Sequence, residues 1–399
     1  MRAIAIFLTL SITLSTLFAQ TLNDLIKEAL KHHPDLQQIE IQKRALKARA
    51  QSAITTDPAE LQLGGGYALD NDSSGGKEFF AGISKEFFTP AVKRALQESS
   101  ELLFKSELLR LESRLLESIY TIEYLYFDSC LQKKKLLLKE KLYEEFNRFA
   151  RKMRRAQELG EISKKDLITI ESELAKDELE LKLQKSSYRA SLISLQRELY
   201  RPKPIGELSC SEDFETFKIE LNEKSAVKRS LNIKSKELKI KALKRALKKF
   251  DALFDRYTLS AEYSDEFGTT RYGGYISLPL YSLSKKKELE KKILMEQISL
   301  ETLNMHAQKL KTENMIKELK EILHTIHDSI ALYKELEKEK SRLVQMVQRS
   351  YLSGESSVTE LISAKKERVY IYLKTIDLQQ EYLKRLFDMY KTASIKEIR

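Results

Sequence analysis

Two long segments almost free of helix-breaking residues limit what this chain of 399 residues can fold into. Residues 91–201 contain no proline and one glycine, Gly160, and residues 280–399 contain no proline and one glycine, Gly354. Proline and glycine are the residues that most often end helices, and glycine tolerates the positive φ angle of a tight turn. The sequence therefore predicts two long helical hairpins, with tips near residues 160 and 354.

Apolar residues recur every three or four positions along both segments, as expected for helices that pack along their length. The repeat is carried by Phe104, Leu108, Leu111, Leu115 and Ile122, by Leu167, Ile170, Leu174, Leu181, Tyr188, Leu192, Leu195 and Leu199, and by Ile362, Val369, Tyr372, Ile376, Leu383, Leu386 and Tyr390. At about 1.5 Å per residue, a helix from Pro90 to Glu158 is roughly 100 Å long. A helix of this length is much longer than the helices that build an ordinary globular core.

Two glycine-rich segments have a different pattern, in which large apolar residues alternate with small or polar ones. They predict two β-hairpins, at 60–88 and 257–281, with polar connectors at 70–76 and 264–269. Strands of roughly ten residues are long enough to cross a bilayer as tilted barrel strands. Four strands cannot close a barrel, whereas three copies would supply twelve. A soluble four-stranded cap on a coiled coil is the alternative that this pattern leaves open.

The chain repeats itself at a nearly constant offset. The residues 156–161 around the first tip align with 350–355 at an offset of 194, Ile83 and Ser84 align with Ile276 and Ser277 at 193, and 40–46 aligns with 237–243 at 197. We therefore predict a first structural repeat at 20–205 and a second at 206–399. Each would run helix, β-hairpin and long helical hairpin, with 202–211 as the linker.

The N-terminus is typical of an exported protein. Arg2 precedes an uncharged, mostly apolar run at 3–17, and Ala19 is small, so 1–19 is predicted to be a signal peptide. A retained N-terminal anchor is the alternative. The 70 basic residues are interspersed with 59 acidic ones, which favours solvated helix faces over a nucleic-acid surface. No catalytic motif is present, so we expect neither an enzyme nor a cofactor or metal site; His324 and His327 are expected to be exposed polar residues.

Three segments resemble TolC-type outer-membrane efflux proteins of the outer membrane factor family. They are the opening segment at 21–36, the first tip at 159–167 and the second tip at 350–361. The resemblance implies a mostly α fold with a small β part, in which long coiled-coil hairpins and two β-hairpins per chain form a homotrimer. That trimer would have a 12-stranded β-barrel in outer-membrane lipid and an α-helical tunnel in the periplasm.

The same resemblance implies a function and specific residues. The chain would be the exit duct of a tripartite export system, receiving substrates from an inner-membrane pump through a periplasmic adaptor, and it would be gated at the helical tips. A type I polypeptide secretion duct and a non-channel periplasmic coiled-coil protein, structural or adaptor, are the alternatives. The implied residues are the gate contact Asp166 with Tyr351, the constriction ring Glu360 and Ser363, and the adaptor-docking residues Leu159, Gly160, Ser163, Gly354 and Ser357. The family's second gate contact uses an arginine at the position of Ser356, so this chain departs from the pattern, and we expect a contact between Lys165 and Ser356 in its place.

Some of these assignments have simpler alternatives in the sequence. Asp166 could be an ordinary helix N-terminal charge, and Glu360 a solvated helix residue. The transported substrate is not readable from the sequence. Whether Cys130 and Cys210 form a disulfide is also left open, although both would lie in an oxidising compartment.

Overall fold

The computed structural model describes residues 20–69, 75–210, 221–266, 269–279 and 285–395, without the side chains of residues 35, 36, 68 and 69. The predicted signal peptide at 1–19 and the connector residues 70–74 and 267–268 lie outside this range. In chain order the helices and strands are α1 (Leu22–His32), α2 (Pro34–Ser52), β1 (Glu60–Leu69), β2 (Gly75–Phe88), α3 (Pro90–Glu158), α4 (Lys164–Glu198), α5 (Glu223–Arg229), α6 (Leu231–Leu247), β3 (Arg256–Glu266), β4 (Thr269–Ser277), α7 (Lys285–Leu352) and α8 (Val358–Ala393). A short 3-10 helix, Lys248–Asp251, follows α6.

The element order is the same in the two halves of the chain. In each half two helices precede a β-hairpin, and a very long helix, a turn and a helix half as long follow it. The long helices have 69 and 68 residues, and the helices that follow them have 35 and 36. The mostly helical fold class with a small antiparallel sheet is therefore confirmed. In the described residues, no helix has both the length and the apolar content that crossing a membrane requires.

The four strands form one antiparallel sheet in the order β1-β2-β3-β4. The two hairpins join through β2 and β3, so β1 and β4 each have one neighbour and an open edge. Both predicted connectors are too long, because Gly75 and Gly76 begin β2, Thr269 begins β4, and residues 264–266 extend β3. Their pairing with β4 and an ion pair between Arg271 and Glu266 at 3.1 Å lengthen the ladder. In the second hairpin, β4 ends at Ser277 and residues 280–281 lie outside the described range.

The two faces of the sheet differ in chemistry. The pairing register places Leu61 beside Ile83 and Leu259 beside Ile276 on one face, and the next residue of each strand points to the other face. The apolar face carries Leu61, Leu63, Tyr67, Phe79, Ile83, Phe87, Leu259, Tyr263, Tyr272 and Ile276, with Lys77, Lys85 and Asp265 towards its ends. The opposite face carries Glu60, Glu78, Ser84, Glu86, Arg256, Ser260, Glu262, Glu266 and Arg271, together with Phe80 and Tyr275.

The chain divides into two compact units, each taking segments from both predicted repeats. The sheet unit comprises the described residues of Ile39–Ser113 and Val227–Lys311. Within it the start of α3 packs closely on α6, because Ser106 and Ser235 are small and buried. Each of these serines donates its hydroxyl to the backbone carbonyl of the other at 2.8 Å.

The tip unit comprises the described residues of Met1–Gln38, Arg114–Ala226 and Thr312–Arg399. Its core includes a group of aromatic side chains in which Phe127 stacks on Phe387 with ring centroids 6.0 Å apart. The bond that the sequence leaves open is formed here, because Cys130 on α3 and Cys210 after α4 make a disulfide, with Cα atoms 5.5 Å apart. Lys133 pairs with Glu207 at 2.7 Å beside it, so the segment after α4 is fastened to α3.

Candidate gate at the helical tips

The two hairpin tips have the same backbone geometry. Gly160 has φ +76° and Gly354 has φ +78°. In both, the residue after the glycine donates its amide to the carbonyl five residues back at 2.8 Å, which is the Schellman ending of a helix. An added Cβ would meet nothing within 4 Å at either glycine, so glycine is required by the backbone angle and not by crowding.

The helices that leave the tips begin with serine caps at equivalent positions. Ser163 accepts a hydrogen bond from the Asp166 amide at 3.0 Å and donates its hydroxyl to the Asp166 carboxylate at 2.7 Å. Ser357 accepts from the Glu360 amide at 3.2 Å, and the Glu360 carboxylate accepts from the Ser357 amide at 3.1 Å, which completes a capping box. Asp166 and Glu360 therefore both cap a helix within the protomer. These contacts lie within one protomer and do not test the predicted gate role of Asp166 or the predicted ring role of Glu360.

One apolar cluster joins the two hairpins behind their tips. Its members come from all four long helices, so the tips are held together within a single protomer. The buried residues are Phe146 and Ala150 of α3, Ile170 of α4, and Val358 and Ile362 of α8, with Phe149, Met153, Leu174 and Tyr351 packed against them.

Tyr351 lies at the edge of this cluster, near the predicted partner Asp166. Its hydroxyl donates to Met153 Sδ at 3.2 Å, and its ring packs edge-on against Phe149. Burial raises the pKa of Tyr351, and the negative charge of Asp166 raises it further. The two side chains are thus close enough to interact electrostatically. Within the described protomer, however, the phenol donates to sulfur, so the predicted Asp166–Tyr351 hydrogen bond stays a prediction.

The other predicted site residues lie at or near the tip surface. Lys165 is exposed, and Ser356 is half-buried with its amide bonded to the Ser350 carbonyl at 3.2 Å. Ser363 is exposed one turn after Glu360 on α8, so both can face the same solvent-filled space. Leu159 is 74% exposed. No contact between these residues tests the second gate pair, the ring or the docking surface, and all three stay predictions.

A buried carboxylate group further along the first hairpin was not anticipated from the sequence. Glu173 is buried and pairs with Lys366 of α8 at 2.6 Å. One turn later, Asp177 is partly buried, and its pKa rises to about 6 because of that burial and the charges of Glu173 and Glu180. The spacing of four residues between Glu173 and Asp177 was the available signal, but acidic pairs at this spacing are also common on solvated helix faces.

The position of a lysine near the second tip was also not predictable from the sequence. Lys365 of α8 places Nζ 5.3 Å from the centre of the Phe149 ring. Burial lowers the pKa of Lys365, while Glu145 acts in the opposite direction. The spacing of Phe146, Ala150 and Met153 on α3 could have indicated the apolar cluster that holds this ring, but no sequence pattern relates them to α8.

Comparison with known proteins identifies the fold. No protein-family model matches the sequence, and no curated protein matches it. The structure is similar to CusC, described in connection with folding and transmembrane channel formation, with a TM-score of 0.80 and 13% identity over 93% of this chain and 91% of that one. It is also similar to the CmeC outer membrane channel of Campylobacter jejuni, with a TM-score of 0.75 and 14% identity over 93% and 85% of the two chains. The open-state MtrE outer membrane channel of Neisseria gonorrhoeae gives 0.74 and 12% over 93% and 88%.

The chain therefore has the fold of a class of outer-membrane channels, and it has this fold over nearly its whole length. The resemblance to TolC-type proteins that the sequence indicates is confirmed for the fold. At 12–14% identity, residue roles do not transfer with the fold.

Proposed function

We propose that three copies of this chain form an outer-membrane channel, the exit duct of a tripartite export system. Each copy would contribute its four strands to a closed 12-stranded barrel and its long helices to a periplasmic tunnel. An inner-membrane pump would deliver substrate through a periplasmic adaptor that meets the tunnel at the helical tips. The organisation into two repeats, 20–205 and 206–399, would place two hairpins of each copy around the tunnel.

The observation that carries this proposal is the sheet, with two chemically different faces and two open edges. Backbone groups at an open edge have no partners in lipid, so a sheet with an apolar face is stable in a bilayer only when its edges pair. Pairing β1 of one copy with β4 of the next closes the sheet. The face with Leu61, Ile83 and Ile276 would then meet lipid, and the face with Glu78, Ser84 and Glu262 would line the water-filled interior.

Adjacent residues on β2 test this arrangement directly. Ile83 and Ser84 lie on opposite faces, and both native cysteines are in a disulfide, so Ile83→Cys and Ser84→Cys would each carry a single free thiol. We expect a water-soluble methanethiosulfonate to label Ser84→Cys and lower single-channel conductance in a planar bilayer. We expect a lipid-soluble maleimide to label Ile83→Cys, with the water-soluble reagent ineffective. Equal labelling of both thiols by the water-soluble reagent would place the sheet in water and eliminate the channel.

The extracted protein offers an independent measurement. A channel of this kind should migrate as a heat-resistant trimer after detergent extraction of outer membranes. A monomer or dimer released with the soluble periplasmic fraction would instead support a non-channel coiled-coil protein.

The proposed gate is the contact between Asp166 and Tyr351 of neighbouring helices, with Lys165 and Ser356 as a second contact. Glu360 and Ser363 would form a constriction ring whose carboxylates favour cations.

In the closed trimer Tyr351 would exchange its bond to Met153 for one to a charged carboxylate, which is the stronger acceptor. The test is closed-state conductance of Tyr351→Phe and Asp166→Ala, with the exposed Tyr370→Phe as a matched control. A raised conductance in the first two is expected; unchanged conductance in both removes the pair from the gate.

A further inference from the structure

The two hairpin tips have matching backbones but very different charge. Under the repeat offset of 194, the first-tip segment 148–166 corresponds to the second-tip segment 342–360. The first contains seven basic and three acidic residues, a net charge of +4. The second contains two of each and is neutral. Because the backbone turn and the serine cap are the same in both, the turn does not require this charge.

The basic residues of the first tip are directed to solvent. All seven are exposed, namely Arg148, Arg151, Lys152, Arg154, Arg155, Lys164 and Lys165. Arg154 pairs with Glu171 at 2.9 Å. The other six have no ion pair in the described residues, and these include both tips completely. Six cations at the end of one hairpin repel one another, and an acidic counter-surface would relieve that repulsion.

An apolar side chain lies inside this charged surface. Leu159, directly before the tip glycine, is 74% exposed. The second tip also exposes a leucine, Leu352, which is 78% exposed, so the two tips differ in the charge around the leucine. Charges at the edge of a contact surface select the partner and speed its association.

We propose that the first tip, residues 148–166, docks on an acidic protein surface at the end of the adaptor, while the second tip contributes no charge selection. This docking proposal rests on the proposed function, in which the tips meet the adaptor. It adds that the partner surface is acidic and that the first tip is the one that recognises it. A protein fits better than an anionic membrane surface. In a trimer, three charged and three neutral tips would alternate around the ring, and a discrete protein can match that alternation whereas a uniform lipid surface cannot.

The experiment uses the full chain in its own outer membrane, with the photoreactive residue p-benzoylphenylalanine at Leu159 or, as the equivalent second-tip position, at Ser353. Cross-linked peptides are sequenced. We expect Leu159 to cross-link to a protein segment rich in Asp and Glu. In Arg148→Gln/Arg151→Gln/Lys152→Gln/Arg155→Gln, which gives the first tip the net charge of the second, the adduct should fall about tenfold.

A matched pair of variants separates charge from folding. Arg148 and Arg155 correspond to Arg342 and Arg349 of the second tip, which are also exposed. Arg148→Gln/Arg155→Gln should lower the Leu159 adduct severalfold, and Arg342→Gln/Arg349→Gln should not. A heat-resistant trimer and bilayer conductance are measured for each variant, so loss of the channel itself is distinguished from loss of docking.

Three results would overturn the proposal. They are a neutral or basic cross-linked segment, an adduct that persists in the charge-neutral variant, and an equal loss in both matched pairs. A phospholipid adduct in place of a peptide would show that the basic tip meets a membrane. No adduct of any kind from an intact, conducting trimer would show that this tip docks on nothing.

Discussion

A comparison of the two helical hairpins shows that the turn at a helical tip fixes only a few residues of the sequence. At positions 194 residues apart, the hairpins share the tip glycine with its positive φ, the Schellman hydrogen bond and the serine cap. They differ at positions that the turn does not require. The first hairpin carries the basic tip, the cysteine of the disulfide and a partly buried carboxylate, whereas the second has a neutral tip, an exposed histidine and a buried isoleucine at the equivalent places.

Two of these differences lie along the helices, away from the turns. Cys130, bonded to Cys210, corresponds to His324, whose side chain is exposed. Asp177 corresponds to Ile371, which is 6% exposed. The first hairpin is therefore fastened by a covalent bond and also strained by a poorly solvated charge, and the second relies on apolar packing. The predictions below test this contrast, beginning with the largest effect.

Removing the disulfide should affect the first hairpin far more than the second. The bond closes a loop with a sequence separation of 80. Chain-entropy arguments give a loss of about 4 kcal/mol in Cys130→Ser/Cys210→Ser. Urea unfolding of the detergent-solubilised protein measures the loss, and amide hydrogen exchange locates it. We expect faster exchange in residues 200–210 and the adjoining part of α3. Equal acceleration around His324 would show that the hairpins are not independently fastened.

Asp177→Asn should stabilise the protein at neutral pH. The pKa of Asp177 is raised to about 6, so the folded protein holds this proton more tightly than the unfolded chain, and stability falls as pH rises through that range. The ionised Asp177 carboxylate destabilises the folded protein fully above about pH 6, where Asp177→Asn should raise the free energy of unfolding by about 2 kcal/mol. The gain from the substitution should vanish near about pH 4, where the carboxyl group is protonated in the folded protein.

Urea unfolding at the two pH values measures this difference. Glu178→Gln is the control, since Glu178 forms an ordinary ion pair with Lys182 at 2.7 Å and its loss should cost only a few tenths of a kcal/mol. A gain for Asp177→Asn that does not change with pH would mean that the carboxylate is not the source of strain.

The tip glycines should respond equally in both hairpins. Alanine at Gly160 or Gly354 must adopt a positive φ, which costs about 1 to 2 kcal/mol, and no clash adds to this because the Cβ meets nothing within 4 Å. Gly206→Ala is the control, because its Cβ also meets nothing and its φ is not positive, so it should be neutral or slightly stabilising. Thermal unfolding measures all three. A cost at only one tip would break the equivalence of the two turns.

Local features of the fold were predictable from the sequence because they depend on neighbouring residues. The helix bounds Pro90 and Glu158, the tip glycines and the strand alternation follow from residues within a few positions of one another. The predicted repeat of apolar residues along the long helices is confirmed at Ile170, Leu195 and Ile376, which are buried. The predicted connectors at 70–76 and 264–269 are wrong at residues 75–76, 264–266 and 269, because pairing with the neighbouring strand holds glycine and polar residues in a ladder that their composition does not indicate.

The candidate site was less predictable, because its contacts join helices far apart in sequence. Nothing near Tyr351 indicates that its hydroxyl meets Met153, 198 residues earlier, or that Lys365 lies over Phe149. The contact between Glu173 and Lys366 is of the same kind. A resemblance can suggest which residues face a neighbouring copy, but packing within the protomer decides which partners they already have.

The serine caps provide the finest test of the two tips, because they differ in a single hydrogen bond. In the second cap the carboxylate of Glu360 accepts the Ser357 amide, whereas in the first the shorter Asp166 accepts the Ser163 hydroxyl. Removing either hydroxyl should cost about 1 kcal/mol. The loss should be larger in Ser163→Ala, because that substitution also removes a donor to the Asp166 carboxylate, while the Glu360 carboxylate keeps its backbone donor in Ser357→Ala. Amide exchange in the first turns of α4 and α8 measures the two losses, with the exposed Ser363→Ala as a control that should change neither. A larger loss in α8 would mean that the complete capping box depends on the hydroxyl more than on the backbone bond.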